Sequence, residues 1–232
     1  MKKIKKENTH IYYNGKLIDE NFYNNFIEHK NYDILEILKD DKRSLVMLID
    51  INKNKYVLKV PREKNKRKWQ RFISIFRGGE SMREFLQLEK LKKYNFNAPA
   101  PLIAIEEKKL GMTYDSFIIS EYIKSREATI QDLEVVTTCL NDIHKKGFLH
   151  GDSQLTNFLI KDNKVYLIDS KLLKNKYGKF GIMYEYIYLQ ESCPVDLKNY
   201  VDRDNFYFKV AKILNSYLHF WGRVRKKLKN KG

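Results

Sequence analysis

The spacing of apolar residues changes near Glu121 to Arg126. Before that point they fall in short runs of strand length. After it they recur mainly at the three-and-four spacing of amphipathic helices. In the first part, His10 to Lys16 reads as a hairpin turning at Asn14-Gly15, with Leu17-Ile18 returning. Ile34 to Leu38, Ser44 to Ile51 and Tyr56 to Val60 read as three further strands. Residues 62–71, REKNKRKWQR, carry no strand pattern. A helix is expected from about Glu80, with Met82, Phe85, Leu86, Leu88 and Leu91 as its apolar stripe. Strands at Leu102 to Ile105 and Phe117 to Glu121 follow.

In the second part, Gln131 to Lys146 is an amphipathic helix closed by Gly147. Asn157 to Ile160 and Val165 to Ile168 are short apolar runs around an Asp162-Asn163 turn. Phe206 to Trp221 aligns Val210, Ile213, Leu214, Tyr217, Leu218 and Trp221 on one helical face. Strands with one helix, followed by a helical half, define an α+β chain. Residues 1–122 are expected to form a sheet lobe and residues 123–232 a helical lobe, together one two-lobed domain.

Composition allows this and narrows the rest. The chain has 232 residues, 43% of them hydrophobic, enough for two small packed lobes. Only 10 Gly and 4 Pro argue against disorder. Cys139 and Cys193 lie far apart in no metal-ligand spacing, which fits a reducing compartment. The basic start from Met1 to Glu7 leads into no apolar signal core, and no apolar run approaches ~18 residues. The expected location is therefore the cytoplasm. The net charge of +16 favours polyanionic partners.

The chemistry concentrates in His150-Gly151-Asp152-Ser153-Gln154-Leu155-Thr156-Asn157. Asp152 and Asn157 stand five apart behind a histidine, and Asp169 follows Asn157 by twelve residues, at the end of an apolar run. A lone H-x-D is weak, because Asp and Asn are common in turns. The full set, in order behind a helix, resembles the kinase catalytic loop and the metal-binding aspartate after it. A carboxylate at Asp152 can orient an acceptor hydroxyl and take its proton. Mg²⁺ prefers hard oxygen ligands, which Asp169 and Asn157 supply. Gly151 stands where such loops usually carry Arg.

Two more parts fit a nucleotide site. Lys59 sits in a strand with apolar neighbours, where a cation needs a partner. The partners would be the ATP phosphates and a helix carboxylate: Glu84 first, with Glu80 and Glu89 as alternatives. The strand Phe117 to Ile123 looks like one entering a hinge, where the backbone of Glu121, Tyr122 and Ile123 would meet adenine. Between Ile34 and Leu48 there is no glycine. Lys42, Arg43 and Ser44 occupy the turn instead, and their side chains or amides are the candidates to replace a glycine-rich phosphate cradle.

The pattern as a whole resembles the lipopolysaccharide core heptose(II) kinase family. It is carried by Tyr56-Val57-Leu58-Lys59-Val60, the basic segment after it, Gly151-Asp152 through Ile160, Ile168-Asp169 and a basic C-terminus. That resemblance implies a protein-kinase-like fold using ATP and Mg²⁺. It implies phosphoryl transfer to a hydroxyl of the second heptose of the inner core, at the cytoplasmic face of the inner membrane. The partners implied are the lipopolysaccharide core acceptor and an anionic membrane surface. Residues 62–71 and 223–231 are candidates to dock there, at roughly 1 kcal/mol per basic residue near the surface, with Trp69 and Phe72 adding interfacial contacts. No aromatic-rich nucleic-acid motif is present. Other enzyme readings are a small atypical protein kinase or another small-molecule kinase of this fold. The non-enzyme reading is a membrane- or RNA-binding pseudokinase, against which Lys59, Asp152, Asn157 and Asp169 all argue.

Overall fold

Antiparallel pairing organises the first half of the chain. The computed structural model describes residues 1–15, 26 and 32–229. Its contacts divide the chain into Met1–Lys124 and Ser125–Gly232, two residues beyond the boundary read from sequence.

In the first unit the strands are β1 (Lys2–Lys6), β2 (Thr9–Tyr13), β3 (Asp33–Asp40), β4 (Leu45–Ile51) and β5 (Asn54–Val60). Helices α1 (Arg62–Lys66), α2 (Lys68–Arg77) and α3 (Glu80–Lys93) follow, and then β6 (Pro101–Lys109) and β7 (Met112–Glu121). The sheet order is β1-β2-β6-β7-β5-β4-β3, antiparallel throughout. Ile11, Met47, Ile49, Leu58, Ile103 and Ile119 fill its core. Each buried aliphatic contributes roughly 1.5–3 kcal/mol.

The expected strands from Ile34 onward are present. The edge strand β1 was not foreseen, and it pairs with β2 in full register from Lys2–Tyr13 to Lys6–Thr9. The returning arm of the expected hairpin, Leu17-Ile18, lies outside the described residues.

The basic run 62–71 forms α1 and the start of α2. Buried Asn65 pegs it to the sheet, its Nδ2 donating to Asp115 Oδ1 at 2.8 Å while its Oδ1 accepts from Ser116 Oγ at 2.9 Å. On α3 the residues facing the sheet are Ser81, Phe85, Leu88 and Leu91, and Leu86 is exposed.

In the second unit, β8 (Arg126–Glu127) precedes α4 (Leu133–Lys145), β9 (Phe148–Leu149), β10 (Phe158–Lys161) and β11 (Lys164–Leu167). After them come β12 (Leu173–Lys174), α5 (Lys179–Ser192) and α6 (Phe206–Lys229). Helix α4 buries the expected stripe of Leu133, Val136, Leu140 and Ile143, and Gly147 ends it at φ 78°. Burial also pushes the Cys139 thiol up to about 12, so it stays protonated.

Helix α6 forms where it was expected. Its buried residues are Phe208, Ala211 and Asn215. The broad apolar stripe that marked it as a helix points outward instead. Among the described residues no helix is long and apolar enough to cross a membrane.

Candidate active site

Strand β5 aligns Lys59 between Val46 of β4 and Ile118 of β7. Its ammonium donates to Glu84 Oε1 at 3.0 Å, with the two side chains only 22% and 20% exposed. The other two carboxylates are engaged elsewhere. Glu80 binds Lys64 and, at 3.1 Å, Arg83, while Glu89 meets the Met1 ammonium at 3.5 Å. Of the three, Glu84 is the residue that meets Lys59. Glu121, at the end of β7, uses its N–H on Ala100 O at 2.8 Å, and its carboxylate accepts from Ala100 N at 3.1 Å. Both groups of Glu121 therefore tie the end of β7 to the chain entering β6.

The β3–β4 turn does not offer a glycine-like cradle of amides. The N–H groups of Arg43 and Ser44 both donate to Asp41 Oδ1, each at 2.7 Å. Those amides, Ser44 foremost, hold the Asp41 carboxyl below the usual range. Two of the three turn amides are thus committed to Asp41, which favours the basic side chains of Lys42 and Arg43 for that role.

In the second unit β9 delivers the catalytic-type loop. His150 is fully buried, its ring 4.9 Å from that of Phe158. Burial lowers its pKa to about 4, so the imidazole is neutral and structural. Gly151 takes φ 85°, and a Cβ there would lie 3.2 Å from both Leu173 and Lys171 side-chain carbons. This explains why glycine replaces the usual arginine. Asp152 follows, half-buried. Desolvation raises its pKa, Lys171 lowers it and Asp169 raises it, so both carboxylates and the ammonium act on one small region. Asn157 donates through Nδ2 to the Asp152 carbonyl at 2.8 Å, and its own carbonyl accepts from Ile168 N at 3.1 Å. The Asn157 side chain thereby ties the loop to itself while its Oδ1 faces away from that bond. Asp169 leaves β11 in a left-handed conformation, φ 52°, a strained backbone of the kind found at functional sites.

Among the described residues no three His, Cys, Asp or Glu side chains cluster as a metal cage. Mg²⁺ needs fewer protein ligands, since phosphate and water complete its shell. The hard oxygens of Asp169 and Asn157 suit it.

Sequence reasoning missed the anchor of this loop. Glu185 of α5 is buried. It accepts from His150 N at 2.9 Å, Gly151 N at 2.5 Å and His144 Nε2 at 2.9 Å. Its carbonyl accepts from Ser153 Oγ at 2.7 Å. No local motif announces it, because its partners lie 32 to 41 residues upstream.

A cleft of about 660 Å³ opens beside Asp152, lined by Gln154, Lys171, Leu173, Tyr177, Phe180, Tyr184, Tyr188 and Leu214 among others. Phe180, Tyr184 and Tyr188 stand one turn apart on α5, with centroids 6.1 and 5.3 Å apart. Burial and Tyr188 push the Tyr184 phenol up to about 12, which keeps it a hydrogen-bond donor.

A sheet unit with a strand lysine paired to a helix glutamate, and a helical unit with this Asp–Asn–Asp loop, define a kinase-fold phosphotransferase. The family model described as lipopolysaccharide core biosynthesis protein (WaaY) matches residues 1–180. The chain belongs to that family. It is 30% identical over 156 residues to the lipopolysaccharide core heptose(II) kinase WaaY of Escherichia coli strain K12, covering 64% of this chain and 67% of the relative. A second Escherichia coli WaaY is 24% identical, covering 60% of this chain and 64% of its own length. Among solved structures, WaaP in complex with acyl carrier protein superposes over 88% of this chain and 91% of that one, with a TM-score of 0.52 at 13% identity. That likeness extends to the fold.

Proposed function

We propose that this chain phosphorylates the second heptose of the lipopolysaccharide inner core, using ATP and Mg²⁺. The observation that carries the reading is the cleft beside Asp152. An acceptor hydroxyl resting there meets a carboxylate on a loop whose backbone is anchored by Glu185, and an aromatic wall suits the apolar faces of a sugar ring. Membership of the WaaY family supports the choice of sugar.

Each residue then has a task. Asp152 aligns the hydroxyl and takes its proton as the new O–P bond forms and the bond from the γ-phosphorus to ADP breaks. Lys59, fixed by Glu84, holds the α- and β-phosphates, and positioning of this kind supplies most of the catalysis. The backbone at Glu121, Tyr122 and Ile123 receives adenine. Asn157 and Asp169 hold Mg²⁺, which when bound neutralises charge on the phosphates. Lys171, beside Asp152, is placed to meet an anionic group of the acceptor.

The acceptor belongs to an amphiphile, so the reaction takes place at the cytoplasmic face of an anionic membrane. In the basic run Arg62, Lys64, Arg67 and Arg71 all have internal partners. Docking by that segment therefore rests more on exposed Trp69, Phe72 and Phe76 than on its charges.

The test is incubation with ATP and delipidated core oligosaccharide lacking phosphate on the second heptose, followed by phosphorus NMR of the product. A new monoester on that heptose is expected. A product phosphorylated elsewhere, or only on protein, would redirect the reading to another acceptor.

A further inference from the structure

Helix α6 has two apolar faces, and only one is covered. At 100° per residue, Phe208, Ala211 and Asn215 share the buried face. Asn215 also donates to Glu191 Oε1 of α5 at 2.6 Å. On the opposite side Phe206, Ile213, Tyr217 and Phe220 fall within about 60° of one another. They are 71%, 70%, 56% and 53% exposed. Val210 and Trp221 widen the stripe, and Trp221 packs edge-on against both Tyr217 and Phe220. The stripe runs about 22 Å along the helix, a continuous apolar surface of a kind that marks an interaction site.

Charge identifies the occupant. Residues 206–229 contain no Asp or Glu and seven Lys or Arg. Lys212 and Arg223 lie on one flank of the stripe by helical phase, with Lys209, which also meets Asp204 at 3.3 Å, and Arg225 lies on the other. An apolar stripe with a basic border matches a bilayer interface, where the stripe enters the acyl boundary and the cations meet anionic headgroups. A second copy of the same chain would bring like charges together along the whole border. The stripe also joins the cleft beside Asp152, because Leu214, next to Ile213, lines that cleft with Tyr184 and Tyr188.

We infer that the exposed face of α6 lies in the headgroup region of an anionic membrane and opens the Asp152 cleft toward a membrane-held acceptor. The second clause rests on the kinase reading; the first does not. Apolar insertion does most of the anchoring here, and the basic tail at residues 223–231 assists it. This reverses the weight that the sequence alone gives to the tail.

The test uses the full chain carrying Trp69→Phe, so that emission reports Trp221. It is mixed with vesicles of phosphatidylcholine containing phosphatidylglycerol, or of phosphatidylcholine alone. On the anionic vesicles the emission is expected to shift to the blue and the protein to co-sediment. Ile213→Ser with Phe220→Ser removes apolar surface without altering charge, and should lower the partition coefficient on the order of tenfold or more. Circular dichroism should be unchanged, because both side chains are exposed. Transfer to a soluble, delipidated acceptor should also be unchanged. If the kinase reading fails, that transfer is absent in every variant while the vesicle result stands. Wild-type partitioning by the double variant would overturn the proposal. So would a wild-type chain that leaves both kinds of vesicle alone, making an acidic protein the partner this face fits.

Discussion

Buried in place beside Phe158, the imidazole of His150 gives the loop a pH signature. Its pKa is lowered from 6.5 to about 4 by desolvation. The unfolded chain binds a proton that the folded chain refuses, so the stabilising contribution is complete above about 6.5 and is lost as pH falls toward 4. Urea titrations across that window should show a slope of up to ~1.4 kcal/mol per pH unit from this group. His150→Phe should flatten it, and an unchanged slope would place the titration elsewhere. In the proposed reaction Asp152 sets the activity limb. Its pKa is raised, so kcat should fall on acidification at a pH above the ordinary carboxylate range. Lys171 opposes that shift, and Lys171→Met should move the limb to still higher pH. Glu185 positions the loop by accepting from the backbone N–H groups of His150 and Gly151. Glu185→Gln turns an amide NH₂ toward a backbone N–H and should cost ~2 kcal/mol of stability. It should also lower kcat several-fold with little change in the ATP KM. A kcat equal to wild type would make Glu185 structural only.

At the scale of elements, α3 depends on a close approach at its start. A Cβ on Gly79 would lie 2.4 Å from Glu106 Oε1 and 2.8 Å from Thr113 Cγ2. Gly79→Ala should therefore push the first turn of α3 off the sheet and loosen the Lys59–Glu84 pair. The expected result is a higher ATP KM and a loss of stability of roughly 1–3 kcal/mol; a wild-type ATP KM would argue that the turn shifts freely. Elements were legible in the sequence where their apolar pattern reports burial. Phe85, Leu88 and Leu91 on α3 and Val136, Leu140 and Ile143 on α4 are of this kind. Strand β1, KKIKK, was not, because it is an exposed edge whose stability comes from its ladder with β2. Helix α5 gave no stripe, since its core face carries Glu185 and its cleft face carries aromatics. On α6 the periodicity marked the helix but not which of its faces packs. Which apolar face packs depends on neighbours that local pattern does not contain.

For the whole molecule, the candidate site was legible to the extent that it is local. Asp152, Asn157 and Asp169 fall within eighteen consecutive residues, and the spacing of a loop and hairpin is written in the chain. Lys59 and Glu84 meet across 25 positions, and a strand lysine followed by a helix carrying three carboxylates was enough to nominate the pair with two alternatives. The Glu185 clamp and the capped β3–β4 turn were hidden, because each depends on where a carboxylate ends up after folding. Whether this loop phosphorylates a core heptose is decided by phosphate analysis of core oligosaccharide from a strain lacking the gene. The wild-type chain should restore a phosphate on the second heptose. Asp152→Asn, expressed and folded equally well, should restore it at a rate lower by on the order of 10²-fold or more. Full restoration by Asp152→Asn, or no difference in core phosphate between the deletion strain and its parent, would exclude heptose phosphorylation by this loop.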